Sequence, residues 1–275
     1  MKCAWKELLS ILPQWMREPV DRLGSDALQE LRLRCGMPPE LVLRLNSTWL
    51  QQTVTTEDLN YIVNTASRYS PWAASTLAQG YITAPGGHRI GVCGEAVVDG
   101  HGMSGIRQVR SLCIRIARDF PGLADRLCDH KDSLLILGAP GSGKTTLLRD
   151  LIRQRSKLEA VSVVDERGEL FPQGVDTGLR TDVMTGCPKV WGIDRILRTM
   201  GPGTIAVDEI TSAEDCRALL QAGWCGVTLL ATAHAASLKD LCSRAIYRPI
   251  VESGIFQSVV ILHSDKSFRT ERICA

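Results

Sequence analysis

No charge of one sign dominates this chain: Lys+Arg 32 against Asp+Glu 30 leaves a formal net charge of +2. So weak a field does not draw a protein onto nucleic acid or anionic lipid, which disfavours a dedicated polyelectrolyte binder. There are 10 cysteines but no CxxC pair, and the nearest two are Cys216 and Cys225. Zinc ribbons, thioredoxin-type redox pairs and haem attachment therefore lack their spacing. Scattered in this way, the cysteines read as small buried apolar residues in a reducing compartment. The opening run MKCAWKELLSILPQW has no useful apolar h-region and no A-x-A site, so an export signal is not expected and a cytoplasmic location is. Internal repeats and low-complexity tracts are also lacking, which argues against a solenoid.

Long hydrophobic runs are nearly absent too. Ala218 to Leu238 carries no Asp, Glu, Lys or Arg over 21 residues, enough to cross a bilayer. It contains Gln221, His234 and Ser237, however, with the turn-like pair Cys225-Gly226 at its middle. It reads as a helix end, a buried strand and a loop.

What is present is ordinary globular composition: 275 residues, 44% hydrophobic and 23% charged, enough for one large domain or two. From residue 133, apolar runs alternate with helical patterns. Ser133–Leu137, Ala160–Val164, Thr204–Val207, Val227–Thr232 and Ser258–Leu262 read as buried strands. Lys144–Arg155, Lys189–Met200, Ala213–Gly223 and Leu238–Ile246 read as helices. Apolar strands joined by long crossovers predict a parallel sheet covered on both faces. The preceding residues differ. Leu31-Arg-Leu-Arg and Leu41-Val-Leu-Arg-Leu alternate around a Gly36-Met-Pro-Pro turn, and Glu57 to Tyr69 is helical. Tyr81-Ile-Thr and His88 to Gly94 form a hairpin, followed by a strand from Ser111 to Ala117. The breaker Asp119-Phe-Pro-Gly places a boundary between a smaller α+β domain, residues 1–118, and an α/β domain, residues 119–275, led by a helix over Leu123–Cys128.

The chemistry begins at Gly138-Ala139-Pro140-Gly141-Ser142-Gly143-Lys144-Thr145-Thr146, which matches G-x-x-x-x-G-K-[ST] after an apolar strand and opens a helix. This Walker A pattern lets glycine backbone curl so that successive N–H groups face phosphate, with the helix N-terminus adding positive character. Lys144 would meet the β- and γ-phosphates of ATP and Thr145 would sit on Mg²⁺. Thr204-Ile-Ala-Val-Asp208-Glu209 puts two carboxylates at a second strand end, Asp208 for Mg²⁺ through water and Glu209 to polarise the attacking water. Val164-Asp165-Glu166-Arg-Gly-Glu169 ends a third strand with acidic residues that could face the γ-phosphate. His234 follows a fourth and could sense that phosphate. Arginines for the developing charge are sought among Arg107, Arg110, Arg115, Arg118, Arg180, Arg195 and Arg198, most of them expected on a solvated surface.

Together with Leu28-Gln-Glu-Leu-Arg-Leu-Arg-Cys-Gly-Met-Pro, Gly80-Tyr-Ile-Thr-Ala-Pro-Gly-Gly-His-Arg-Ile-Gly-Val-Cys-Gly and Arg180-Thr-Asp-Val-Met-Thr-Gly-Cys-Pro-Lys, these segments resemble the secretion ATPases of the type II/type IV pilus class, in the RecA-like/AAA+ P-loop group. More closely, they resemble the stage III sporulation protein AA family of endospore-forming Firmicutes. That resemblance implies an N-terminal domain, a C-terminal ATPase domain and a homo-oligomeric ring, expected to be a hexamer. It implies an engine for a secretion-like channel between mother cell and forespore, docked on a membrane-embedded channel or platform protein. Asp165 and Glu166 would match the family's Asp box and His234 its His box. Glu209 or Glu166 would be the base, with Glu209 preferred, and Arg115 would reach a neighbouring subunit's nucleotide. The loop after Glu169 departs from the pattern in being short. Two other readings are a nucleic-acid-dependent P-loop ATPase, kept open by the Arg107–Arg118 strip although nucleic acid is not the expected partner, and an ATP-gated scaffold with little turnover.

Overall fold

A computed structural model describes residues 3–67, 77, 80–100, 102–172, 175–263 and 265–273. The chain divides into two compact units, Met1–Asp119 with Pro172–Val175, and Phe120–Phe171 with Asp176–Ala275.

The first unit starts with two helices, α1 (Trp5–Ile11) and α2 (Gln14–Leu23), which the sequence pattern does not reveal. Their apolar residues Leu8, Ile11, Met16 and Val20, with Leu12 between the two, are buried, so these short helices are held by packing rather than by propensity. Then come β1 (Leu28–Arg34), β2 (Glu40–Leu43), β3 (Ser47–Trp49), α3 (Thr56–Ser67), β4 (Tyr81–Thr83), β5 (Arg89–Asp99) and β6 (Gly102–Arg115). They form a six-stranded sheet ordered β3-β2-β1-β6-β5-β4, antiparallel at every pairing. The expected helix reaches Ser67, and Tyr69 lies outside the described residues. Strand β6 starts nine residues earlier than the alternation at Ser111 suggests (111 − 102), because Gly102–Arg107 is half-buried or exposed and leaves no apolar period.

His88 ties this unit together. Fully buried, it accepts the Ala117 N–H at Nδ1 (3.1 Å), which leaves Nε2–H to donate to Ala4 O (2.9 Å). Burial pushes its pKa below 6.5, outweighing the bond to Ala4 and the pull of Glu7; Arg118 adds slightly to the lowering. The unfolded chain therefore takes up a proton that the folded chain refuses. Stability is complete above pH 6.5 and is lost as pH falls through 6.5 toward the lowered folded value. Chemical denaturation between pH 7.5 and pH 5.5 should show this decline in the wild type and a flatter profile in His88→Gln.

The second unit contains β7 (Leu134–Leu137), α4 (Lys144–Ser156), β8 (Val161–Asp165), β9 (Thr181–Thr185), α5 (Lys189–Thr199), β10 (Thr204–Glu209), α6 (Ala213–Trp224), β11 (Thr228–Ala233), α7 (Leu238–Ser243), α8 (Arg248–Glu252), β12 (Ser258–Leu262) and β13 (Phe268–Arg272). The sheet order is β13-β12-β7-β11-β10-β8-β9. All pairings are parallel except β12 with β13, so the α/β sheet is mixed by one antiparallel edge strand. The central strands are buried along their length, as expected when helices cover both faces. The uncharged run at Ala218–Leu238 resolves into the end of α6, a turn at Gly226 (φ +83°), β11 and a loop. Among the described residues no helix is long and apolar enough to cross a membrane.

Two of the expected helices differ. Leu123–Cys128 is not a helix but holds a single 3₁₀ turn, Asp125–Leu127. Its backbone is claimed by side chains: Asp150 accepts the Ala124 N–H (2.8 Å), and buried Arg155 donates to the His130, Lys131 and Asp132 carbonyls that follow. Helix α7 stops at Ser243, with Arg244 extended, and Pro249 then sits in the first turn of a separate helix where its missing N–H is harmless.

Candidate active site

Strand β7 delivers Gly138 to the carboxyl edge of the sheet, where doubly wound sheets hold ligands. Residues 138–143 then turn into α4. Gly141 (φ +72°) and Gly143 (φ +106°) occupy left-handed backbone, which favours glycine. A Cβ on Gly138 would stand 2.5 Å from Ser142 Oγ, so any larger residue there would displace the Ser142 hydroxyl. Gly143 caps α4 without a side chain, leaving the helix's first N–H groups for an anion. Ser142 Oγ is buried without a hydrogen-bond partner, an orphaned polar atom inside the cradle. These features fit a nucleotide's phosphates.

Lys144 Nζ donates to Gly138 O (2.9 Å) and Ala139 O (3.1 Å) and stands 3.3 Å from His234 Nδ1. An ammonium donating to Nδ1 leaves the Nε2–H of His234 to donate to Glu209 Oε1 (2.8 Å). The loop lysine, the β11 strand end and the β10 strand end are thus joined in one chain of polar contacts. Burial lowers the Lys144 pKa, while Glu209 and Asp208 pull it back upward.

Thr145 Oγ1 donates to Asp208 Oδ1 at 3.5 Å. Burial pushes the Asp208 carboxyl up to about 6, aided by Asp165 and Glu209 and opposed by Lys189 and Arg167. Crowded anionic oxygens beside a threonine hydroxyl suit a hard divalent cation. Among the described residues no three His, Cys, Asp or Glu side chains gather to hold a metal by themselves. A Thr–Asp pair whose shell is completed by phosphate oxygens and water is the arrangement Mg²⁺ favours.

The second acidic cluster, on the neighbouring strand end, has partners of its own. Asp165, fully buried, accepts the N–H groups of Glu169 (2.9 Å), Leu170 (2.9 Å) and Phe171 (3.0 Å) and so folds the loop after β8. Its carboxyl is nevertheless raised, because burial outweighs the backbone N–H groups around it and the pull of Arg149. Arg149 on α4 braces the same loop, donating to Leu170 O (2.5 Å) and Glu169 O (2.9 Å). Glu166 pairs with Lys189, at the start of α5, which also lies 3.8 Å from Asp215. Asp215 completes the capping box of α6 with Ser212. Glu166 therefore faces the ammonium of Lys189 on α5.

Arg115 belongs to the other unit, where its Nε meets Glu30 Oε1 at 3.2 Å. Arg107 pairs with Glu95 (2.6 Å), and Arg118 donates to Gln29, Ser25 O and Leu28 O, so the basic strip is largely partnered. Arg180 donates to Leu158 O and Arg198 to Asp194. Sequence reasoning missed Lys189 and Arg149. Lys189 opens a helix directly after Pro188, a signal that could have been used; nothing in the sequence distinguishes Arg149.

A glycine-rich loop follows a central parallel strand, with a carboxylate pair on the strand two places away, and the fold of this chain is that of solved secretion and pilus ATPases. The ATPase DotB of Legionella pneumophila superposes with a TM-score of 0.58 at 18% identity, covering 95% of this chain and 80% of that one. The pilus retraction motor PilT, solved with bound ADP, gives 0.64 at 14% identity, covering 89% and 76%. Stage III sporulation protein AA of Bacillus subtilis (strain 168) is 34% identical over 281 aligned residues, 94% of this chain and 91% of the relative. The family model for sporulation stage III, protein AA, matches residues 5–272, and the chain belongs to that family.

Proposed function

We propose that this chain is a Mg²⁺-dependent ATPase that works as a homo-oligomeric ring, six subunits by analogy, powering a secretion-like channel between mother cell and forespore. The observation that carries the ATPase reading is the Lys144–His234–Glu209 chain beside the Thr145–Asp208 pair. Membership of the sporulation family and the secretion-ATPase fold support the engine role. With no helix suited to crossing a membrane among the described residues, the work would pass to a membrane-embedded partner, this chain sitting at its cytoplasmic, mother-cell face.

The phosphates of ATP take the Gly138–Thr146 cradle, and Lys144 exchanges its carbonyl bonds for phosphate oxygens. Mg²⁺, held by Thr145 and Asp208, would offset charge on the β- and γ-phosphate oxygens. When Lys144 turns to phosphate, His234 Nδ1 loses its donor, so occupancy of the loop is transmitted along the imidazole to Glu209. Glu209 orients the attacking water and accepts its proton. Glu166, neutralised by Lys189, is the weaker candidate for that role. Arg115 would approach the nucleotide of a neighbouring subunit, trading Glu30 for phosphate.

The full chain should release phosphate from ATP with Mg²⁺ and stop in EDTA, and its mass in solution should rise to a multiple of the monomer's when ATP and Mg²⁺ are added. A chain that binds ATP, stays monomeric and releases no phosphate would establish the ATP-gated scaffold and reject the engine.

A further inference from the structure

A second lysine reaches the phosphate loop from 125 residues away in the chain. Lys266, in the connection between β12 and β13, donates from Nζ to Gly141 O (2.7 Å) and Ser142 O (3.2 Å). Its backbone is left-handed, φ +70°, a conformation that costs a residue with a Cβ and that glycine would adopt freely. Neighbouring bonds hold it there: Lys266 N–H to His263 O (3.1 Å), His263 N–H to Ser267 O (2.9 Å), and Ser267 N–H and Oγ to Asp265 Oδ1 (2.9 and 2.6 Å). An exposed lysine kept in a strained conformation by a built turn, its ammonium on two backbone carbonyls of a ligand loop, is an outlier that points to use.

The physical consequence follows from the planarity of the peptide bond. A carbonyl drawn toward Lys266 turns the N–H across the same trans peptide away from it. The Gly141 and Ser142 carbonyls are paired in this way with the N–H groups of Ser142 and Gly143. The Ser142 N–H closes a turn onto Ala139 O (3.1 Å), and Gly143 is the N-cap of α4. Ser142 stands between two left-handed glycines, so the loop alone would have much freedom to lose on binding. Lys144 holds the Gly138 and Ala139 carbonyls but must release them to meet phosphate; Lys266 holds different carbonyls and need not let go.

We propose that Lys266 is a positioning residue for the phosphate loop: by pinning the Gly141 and Ser142 carbonyls it fixes the turn that the Ser142 N–H closes and presets the Gly143 amide at the head of α4, where the nucleotide's phosphates would bind. The inference rests on the loop's being a nucleotide site. Preorganisation of this kind strengthens ATP and ADP binding alike and leaves the chemical step alone.

Titration calorimetry of ATP with Mg²⁺ and of ADP, on the full chain, tests it in Lys266→Ala, Lys266→Gly and Lys266→Arg, alongside thermal melting and turnover at saturating ATP. Losing two bonds from a charged donor should weaken both nucleotides about tenfold in the Ala and Gly variants. The Arg variant should stay within about threefold of wild type, and kcat should be unchanged in all three. Lys266→Gly, which relieves the left-handed backbone, should melt above Lys266→Ala yet bind no better, separating loop positioning from fold stability. Wild-type affinity in both the Ala and Gly variants, or lost kcat with retained affinity, would overturn the assignment. A wild-type chain that binds neither nucleotide would instead bring down the nucleotide reading, and this inference with it.

Discussion

Glu209→Gln is expected to bind ATP within about threefold of wild type while releasing phosphate about a hundred- to ten-thousand-fold more slowly, the range for removing a positioned general base. The amide keeps the shape of the carboxylate and can still accept the His234 Nε2–H, so the polar chain from Lys144 survives. What it loses is the basic oxygen that takes the water's proton. Glu166→Gln is the natural comparison. Its carboxylate is held by the buried Lys189, and neutralising it leaves that ammonium with the more distant Asp215 and the field of Asp208. The expected cost falls on stability and on the start of α5, with most of the turnover retained. Single-turnover phosphate release with bound ATP measured in parallel decides the matter; if Glu209→Gln turns over normally and Glu166→Gln does not, the roles given to the two strand ends are reversed.

Asp208→Asn should move stability and Mg²⁺ response in opposite directions. A buried carboxyl raised from 3.8 to about 6 is, once ionised, a burden on the folded state. The unfolded chain loses the proton first as pH rises, so stability falls between pH 3.8 and about 6, and the full penalty persists at pH 7. A rise of that size corresponds to about 3 kcal/mol, and weakening the bond from Thr145 returns about 1 kcal/mol. The variant should therefore be more stable than wild type by about 2 kcal/mol at pH 7 without divalent cations, an advantage that shrinks at pH 5. Its ATP affinity should no longer differ between Mg²⁺ and EDTA, because the neutral amide cannot replace the anionic ligand. Denaturant unfolding and ATP titration, each with and without Mg²⁺, check both halves. A variant that is less stable in EDTA and still gains affinity from Mg²⁺ would remove Asp208 from the metal site.

Much of the site was legible because its chemistry is local. The apolar run Leu134–Leu137, the glycines of the loop and the opening of α4 are contiguous, so composition and spacing along a short stretch define strand, cradle and helix together. The same holds for Asp208 and Glu209, which end a buried strand within their own six residues. Weakly patterned elements were not legible. Strands β9 and β13 lie at the sheet's edges, with every residue half-buried or exposed, and therefore lack both the apolar run and the strict alternation by which a strand is read. Helices α1 and α2 become helices because their apolar faces are covered by residues far along the chain.

By itself, then, the sequence determined the glycine-rich loop, the acidic strand ends and the alternation that makes an α/β sheet, since each depends on neighbours a few residues apart. Only the tertiary structure decided what those groups face. It joined Lys144 to Glu209 through His234, turned Asp165 into the loop after β8, gave Glu166 to Lys189 and laid Lys266 on the carbonyls of Gly141 and Ser142. The reason is physical: a charge acts over a few ångströms of space, and the sequence distance between those partners ranges from a few residues to more than a hundred.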